Sequence, residues 1–356
     1  EDVKVTGIHQ EDGKVKGVQT ELGDIQSSIV VNCGGMWARE IGKMAGVSVP
    51  LHACEHFYFL TSSVPNLGDM PVVRVPDESA YYKEDAGKLL VGAFEPVAKP
   101  WAMKGIPDDF SFDELPDDFD HFQPILEGAM HRVPSLEKVG IQKFFCGPES
   151  FTPDHNYLLG EAPELKNFYV AAGFNSLGIL SAGGAGKVMA DWIVNGHAPM
   201  DCFDTDIRRM SAFQNNKKFL ADRVVESLGV GYQYHWPFRQ WETARNVKKS
   251  VLHDSVAKAG ACFGESAGWE RPNWYAPEGV EPKYEYSYGR QNWFDYTAEE
   301  HNAVRNDVGI FEQSSFHKIF VQGRDAERFM NRICTNNVSV PIGKAVYTQW
   351  LNERGT

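Results

Sequence analysis

Two histidines, a cysteine and a glutamate fall within five residues in His52-Ala53-Cys54-Glu55-His56. The spacing matches the H-x-x-E-H arrangement of one group of zinc proteases, whose chemistry needs a helix so that both histidines share a face one turn apart. Pro50 precedes the run and Phe57-Tyr58-Phe59-Leu60-Thr61 follows it, a context that predicts a strand. On a strand His52, Cys54 and His56 share one face and Glu55 takes the other. A zincin is therefore not expected; a metal on the shared face of the strand stays open as the weaker reading beside no metal at all, and His52 reads as a hydrogen-bonded core residue. His56 opens an aromatic strand that could line a pocket, and its ring titrates near neutral pH. Tyr81-Tyr82 lies in a second strand-like run, where one ring can face a pocket and the other the core. Taken alone, packing roles for both are the plainer reading. Thr152-Pro153-Asp154 reads as a turn that does chemistry only with a partner.

Two glycine-bearing crossings offer backbone chemistry instead. In SSIVVNCGGMWAREIG a strand runs into Gly34-Gly35 and a helix, which allows close approach to a ligand and favours negative charge. A tight strand-to-helix turn explains that segment equally. In AAGFNSLGILSAGGAGKVMADWI, Ser181 stands where a P-loop needs its first glycine and Val188 follows Lys187, so this is no P-loop. No start gives G-x-G-x-x-G either. What remains is a strand, a glycine-rich crossing and a helix whose N-terminal amides suit a polarisable ring carbonyl or an anion. Close helix packing through small residues is the competing reading.

The elements that must position these residues alternate along the chain. KVTGIHQ, the turn EDGK, VKGVQTELG and SSIVVN predict strands within a larger sheet, with Asp12-Gly13 as a hairpin signal. Residues 36–46 predict a helix on the spacing of Trp37, Ile41 and Met44, capped by Gly46. Further antiparallel strands follow in MPVVRV, AYYKE and KLLVGAFE. Residues 108–122 form an acidic, aromatic connector, and QPILEGAMHRVPSLE a helix that ends before Pro134. FYVAAGFNSLG and SAGGAGKVMADWIVNG return as strand, turn and helix. Beyond 205 tryptophans and tyrosines accumulate with little periodicity, and after 300 a new αβ pattern begins in AEEHNAVRNDVG, IFEQ, HKIFVQG and RDAERFMNRICTN.

With 356 residues, 42% apolar, the chain has room for two or three domains. Its net charge of −13 leaves no basic surplus for nucleic acid, and no run approaches the ~18 apolar residues of a membrane span. Six scattered cysteines with no C-x-x-C fit a reducing compartment. Neither end reads as a native terminus, so an internal fragment is expected.

Taken in order, the segments resemble a flavoprotein family. VVNCGGMWAREIGKMAGVSVPLHACEHFYFLT resembles the junction of flavin and substrate domains in glycine-oxidase-type flavoproteins. GPESFTPDHNYLLGEAPELKNFYVAAGFNSLGILSAGGAGKVMADWIVNG is similar to their returning flavin segment. GWERPNWYAP and residues 307–355 resemble the linker and folate-binding opening of the dimethylglycine and sarcosine dehydrogenases, which are fused to a glycine-cleavage T-protein-like half. VPLHACEHFYFLT also resembles the pyruvate dehydrogenase phosphatase regulatory subunit, a relative in the same family. The family's G-x-G-x-x-G strand–helix and its covalent flavin anchor lie outside this sequence, so the chain alone is expected to bind FAD weakly.

The resemblance implies a mixed α/β (α+β) fold. It divides into the end of an FAD-binding Rossmann-like domain (1–50), an antiparallel-sheet substrate domain (51–145), a returning FAD segment (146–200), a central linker domain (201–300) and the start of a T-protein-like domain (301–356). It implies FAD-dependent oxidation of an N-methylated glycine, with the one-carbon unit passed to tetrahydrofolate in the full-length protein. Oxygen or an electron-transfer flavoprotein is the implied acceptor, with no membrane partner. The location would be cytoplasmic in a bacterium and the mitochondrial matrix in a eukaryote. His56 would accept the amine proton and Tyr81 orient the substrate, with Arg74 as the carboxylate clamp. Cys33, Gly34, Gly35, Trp37, Pro153, Asp154, Gly173, Asn175, Ser176, Leu177 and Gly178 would bind the flavin. The alternatives are a non-catalytic regulator of the same architecture and a one-carbon transferase.

Overall fold

The strands β1 (Val5–Glu11) and β2 (Lys14–Thr20) form an antiparallel hairpin in which Glu11 pairs with Lys14 across the two-residue turn. Asp12 and Gly13 both take positive φ, +50° and +69°, as such a turn requires. β3 (Gly23–Gln26) completes this sheet. The computed structural model describes residues 3–234 and 239–351, in two compact units, Glu1–Gly309 and Ile310–Thr356.

Chain order then brings β4 (Val30–Asn32) to a single 3₁₀ turn and α1 (Ala38–Met44), closed by Gly46 at φ +70°. Asn32 holds this crossing together: its side chain accepts from the Gly34 amide (3.1 Å) and donates to the Ala38 carbonyl (2.8 Å). Of the three residues whose spacing predicts the helix, Ile41 packs against the core while Trp37 and Met44 are exposed. Small residues complete the inner face, with Ala38 and Gly42 buried. A Cβ on Gly42 would lie 2.6 Å from the Val49 side chain, so close packing selects the glycine.

The second sheet comprises β5 (His52–Ser63), β6 (Val73–Val75), β7 (Ala80–Asp85), β8 (Lys88–Ala93), β9 (Lys99–Pro100) and, beyond α2 (Phe119–Arg132), β10 (Ile141–Phe151). Its order is β10-β5-β8-β7-β6, antiparallel throughout, with β9 also on β5. One face carries Phe57, Phe59, Tyr82, Val91 and Phe144 against Phe122, Ile125 and Ala129 of α2. α2 starts four residues before the predicted helix, because Asp118 caps it through the His121 amide (3.0 Å).

The third sheet, β11 (Leu158–Glu161), β12 (Phe168–Ala172) and β4, joins the two flanks of the second: β4 runs parallel to β12. Ala38, Val49 and Leu51 share a core with Leu158, Phe168 and Val170. β12 leads into α3 (Gly178–Asn195).

α4 (Lys217–Val230) lies where the sequence shows little periodicity. It is buried on most sides, and two of its buried residues are charged: Arg223 meets Glu265 at 3.1 Å, and Glu226 accepts from the Glu242 and Thr243 amides. α5 (His253–Lys258), the hairpin of β13 (Ala261–Ser266) and β14 (Trp269–Tyr275), and α6 (Phe294–Asn306) complete the first unit. The second unit contains α7 (Ala326–Ile333); the strands expected at IFEQ and HKIFVQG do not form among the described residues.

Candidate active site

The face of the second sheet opposite α2 gathers the polar residues. Across β10 and β5, Gly147 pairs with His56 and Glu149 with Cys54, so His56 and Glu149 are diagonal neighbours on this face. Tyr58, Gly92 and Tyr81 lie side by side on β5, β8 and β7. Gly92 is the only residue type that fits there, since a Cβ would fall inside the Tyr81 ring. Phe94, just after β8, contacts the rings of His56 (centroids 5.5 Å), Tyr81 (5.2 Å) and Tyr232 (3.4 Å). Arg74, opposite Tyr81 on β6, lies over the Tyr232 ring (4.9 Å) and donates to the Tyr232 carbonyl (2.6 Å). α4 walls the far end, where Cys54 and Phe151 pack on Val224 and Leu228.

Electrostatics single out His56. Glu95 is only 2% exposed; one oxygen accepts from the Phe57 amide (3.0 Å) and the other lies 2.9 Å from His56 Nδ1. Burial alone would push the His56 pKa down, but Glu95, through charge and hydrogen bond, and then Glu149 more than reverse it, so it is raised. With Nδ1 engaged, proton acceptance falls to Nε2. Burial, reinforced by Glu149 and Glu95, raises the Tyr81 pKa, so its hydroxyl stays protonated at neutral pH. Glu149 Oε2 is buried with no hydrogen-bond partner among the described residues. Sequence reasoning missed both carboxylates. The available signal was an acid inside an aromatic, apolar strand, in AFEP and GPESF.

Glu149 also lines a cavity of about 830 Å³. Of the residues expected to bind a cofactor, Cys33, Gly35, Trp37, Gly173, Asn175, Ser176 and Gly178 line it, with Gly34 and Leu177 next to them in the chain. Pro153 and Asp154 lie outside the lining: Asp154 pairs with Arg209 (2.7 and 2.9 Å), and the Pro153 carbonyl accepts from Arg223 (3.3 Å). Asn175 and Ser176 take consecutive left-handed conformations, φ +51° and +69°. That turn is over-determined, since Asn175 accepts from the Thr152 amide (2.9 Å) and donates to the Gly173 carbonyl (2.8 Å). Tyr232 Oη donates to the Asn175 carbonyl (3.3 Å) and ties the cavity to the His56 cluster.

This cavity fits a flavin. Its wall is small and apolar, with Ala171, Ala172, Ala182, Ala185 and Gly186, and the first turn of α3 supplies amides without intrahelical acceptors. A Cβ on Gly173 would meet the Thr152 side chain, and the residue's φ of +66° also excludes other types. The H-x-x-E-H run lies on β5, and His52 faces a separate cavity. Among the described residues no group of three His, Cys, Asp or Glu is placed to hold a metal, and no helix is long and apolar enough to cross a membrane.

Comparison with known proteins adds the family context. Residues 1–192 match the model for FAD dependent oxidoreductase, 195–250 that for the FAD dependent oxidoreductase central domain, and 252–356 the GCVT N-terminal domain. The chain is 44% identical over 99% of its length to 4-methylaminobutanoate oxidase (formaldehyde-forming) of Paenarthrobacter nicotinovorans, covering 43% of that protein. It is 38% identical over 96% of its length to human mitochondrial sarcosine dehydrogenase, covering 40% of it. It is 34% identical over 96% of its length to the mouse mitochondrial pyruvate dehydrogenase phosphatase regulatory subunit, again covering 40%. The chain thus spans about two fifths of the length of these relatives.

Proposed function

Because the chain belongs to the FAD dependent oxidoreductase family, whose model matches more than half of it, we propose that it forms the substrate face and part of the flavin site of an enzyme that oxidises an N-methylated amino acid. The observation that carries this reading is the buried His56–Glu95 pair beside Glu149, which has an unpartnered oxygen and lines a flavin-sized cavity.

Gly34, Gly35, Trp37, Gly173 and the Asn175–Gly178 turn would hold the cofactor. The chemistry supplied there would be acceptance by FAD of a hydride from the N-methyl carbon, and the substrate iminium so formed would hydrolyse to formaldehyde or pass its one-carbon unit on. An ammonium is a poor hydride donor, so the substrate must lose its proton first. His56 Nε2 accepts that proton; Glu95 and Glu149 raise its pKa against the effect of burial, which strengthens it as a base for the substrate ammonium. Glu149 faces the charged substrate nitrogen with its buried carboxylate oxygen and holds the ammonium in place by charge before the proton leaves. Tyr81 donates its phenolic proton to the substrate, and Arg74, fixed over Tyr232, supplies the positive charge that a carboxylate needs. The substrate class spans sarcosine, dimethylglycine and 4-methylaminobutanoate, and oxygen or an electron-transfer flavoprotein is the acceptor. The GCVT-type segment supports tetrahydrofolate as the one-carbon acceptor in the longer protein.

The likeness to a phosphatase regulatory subunit favours a second reading, a non-catalytic relative. Anaerobic stopped-flow mixing of the flavin-loaded intact protein with each of the three amines separates the two. Bleaching of the flavin band by at least one amine is expected; a loaded flavin that none of them reduces would select the regulatory reading.

A further inference from the structure

We propose that a second cavity, about 320 Å³ in volume and bounded by α1, the start of β5 and the loop after β9, binds inorganic hydrogen phosphate. The inference is independent of the amine-oxidising reading, since this cavity shares only Met36 with the flavin-sized one.

Four cations face it, Arg39 and Lys43 from α1, Lys104 from the loop and Lys217 from the start of α4, against a single carboxylate, Glu40. In a chain of net charge −13 this is a local reversal of sign. The cluster is only partly neutralised. Glu40 takes both of its 2.8 Å contacts from Lys43. Arg39 is fixed through Nε and Nη2 on Asn215 (2.9 and 2.8 Å), with Nη1 still 3.7 Å from Glu40. Lys104 and Lys217 have no hydrogen bond or ion pair among the described residues.

The second observation names the ligand. His52 lines the cavity, is 7% exposed, and its Nε2 is buried without a partner among the described residues. The Trp101 backbone is the one hydrogen-bonding group that favours the charged ring. Burial first, then Arg39 and Lys217, hold the His52 pKa down to about 4, against small opposing effects of Trp101 and Glu40. The ring is therefore neutral at pH 7, and its unpartnered Nε2 can accept a hydrogen bond from a ligand that carries a proton. The ligand must bring negative charge for the four cations and a proton for His52. Hydrogen phosphate carries both. Sulfate has no proton at neutral pH, and a phosphate monoester, with its second pKa of about 6, has mostly lost its own.

Isothermal titration of the intact protein at pH 7 with inorganic phosphate, sulfate and glycerol phosphate tests this. Phosphate is expected to bind roughly ten-fold tighter than either competitor, the worth of one buried hydrogen bond. Replacing the two lysines together, Lys104→Gln with Lys217→Gln, should weaken phosphate by about ten-fold or more without changing amine-driven flavin reduction. His52→Gln, whose side-chain amide can also donate, should bring sulfate level with phosphate. Equal affinity for phosphate and sulfate in the unmodified protein, or phosphate binding that survives loss of both lysines, would overturn the proposal.

Discussion

At the scale of single residues, His56 sits between two carboxylates that do different things. Glu95 is committed, with both oxygens engaged, and sets the ring's orientation and proton affinity. Glu149 keeps an oxygen free. His56→Ala should lower kcat/KM for the N-methyl substrate roughly 10²-fold with flavin content unchanged, checked by steady-state rates and the flavin absorbance of the purified variant. His52→Ala should be milder, and Tyr81→Phe intermediate. Glu95→Gln has a sharper signature. The rate of flavin reduction should rise with pH as His56 loses its proton. Removing the negative charge that raises the His56 pKa should slide that limb to lower pH. Single-turnover reduction at several pH values reads the shift, and an unmoved limb would mean that another group titrates.

At the scale of elements, turns and caps decide what the side chains can reach. Asn216 accepts from the Lys218 and Phe219 amides at the start of α4, and α4 in turn walls the site and leads to Tyr232. Asn216→Ala should cost about 1 kcal/mol, seen as a lower urea midpoint. Most of the strands were legible in the sequence, because alternation and aromatic content mark β5, β7, β8 and β12. The turn at Gly34-Gly35 was legible from its glycines, whereas Gly183, Gly184 and Gly186, read as a glycine-rich crossing, lie inside α3. α4 was not legible. A helix buried on most sides has no polar stripe, and its buried Arg223 and Glu226 break the apolar pattern. The site was legible in part. His56 and Tyr81 announce themselves by type and context. Glu95 and Glu149 become visible only once strand register places them beside His56, information that spans 39 and 93 residues of chain.

At the scale of the whole molecule, stability is unevenly spread. None of the described residues of the Ile310–Thr356 unit is buried, whereas the core between the second sheet and α2 carries Phe57, Phe59, Val91 and Phe122 almost without exposure. Amide hydrogen exchange should therefore be fast across 310–351 and slow in β5, β8 and β10; uniform protection would contradict this distribution. Acid should act through His52. Its pKa falls from 6.5 to about 4 on folding, so its contribution is intact above pH 6.5 and drains away as pH falls towards 4, by about 3 kcal/mol in all. His56 has the opposite sign: its raised pKa adds stability below pH 6.5 that is lost as pH rises through the folded-state value. Urea midpoints at pH 7 and pH 4.5, compared with those of His52→Gln, isolate the first effect.

The pairing of β5 with β10 has an evolutionary consequence. From Lys143 to Phe151 the partners run without interruption against Leu60 to His52, and the single irregularity is confined to the end at Ile141. Side chains alternate strictly between the α2 core and the site along this stretch. Deleting or inserting one residue between positions 143 and 151 would swap the two populations, sending Glu149 into hydrocarbon and Phe144 into the cavity. Length variation in descendants of this chain should therefore avoid that stretch and collect in the connector at 101–117, where no strand or helix sets the count.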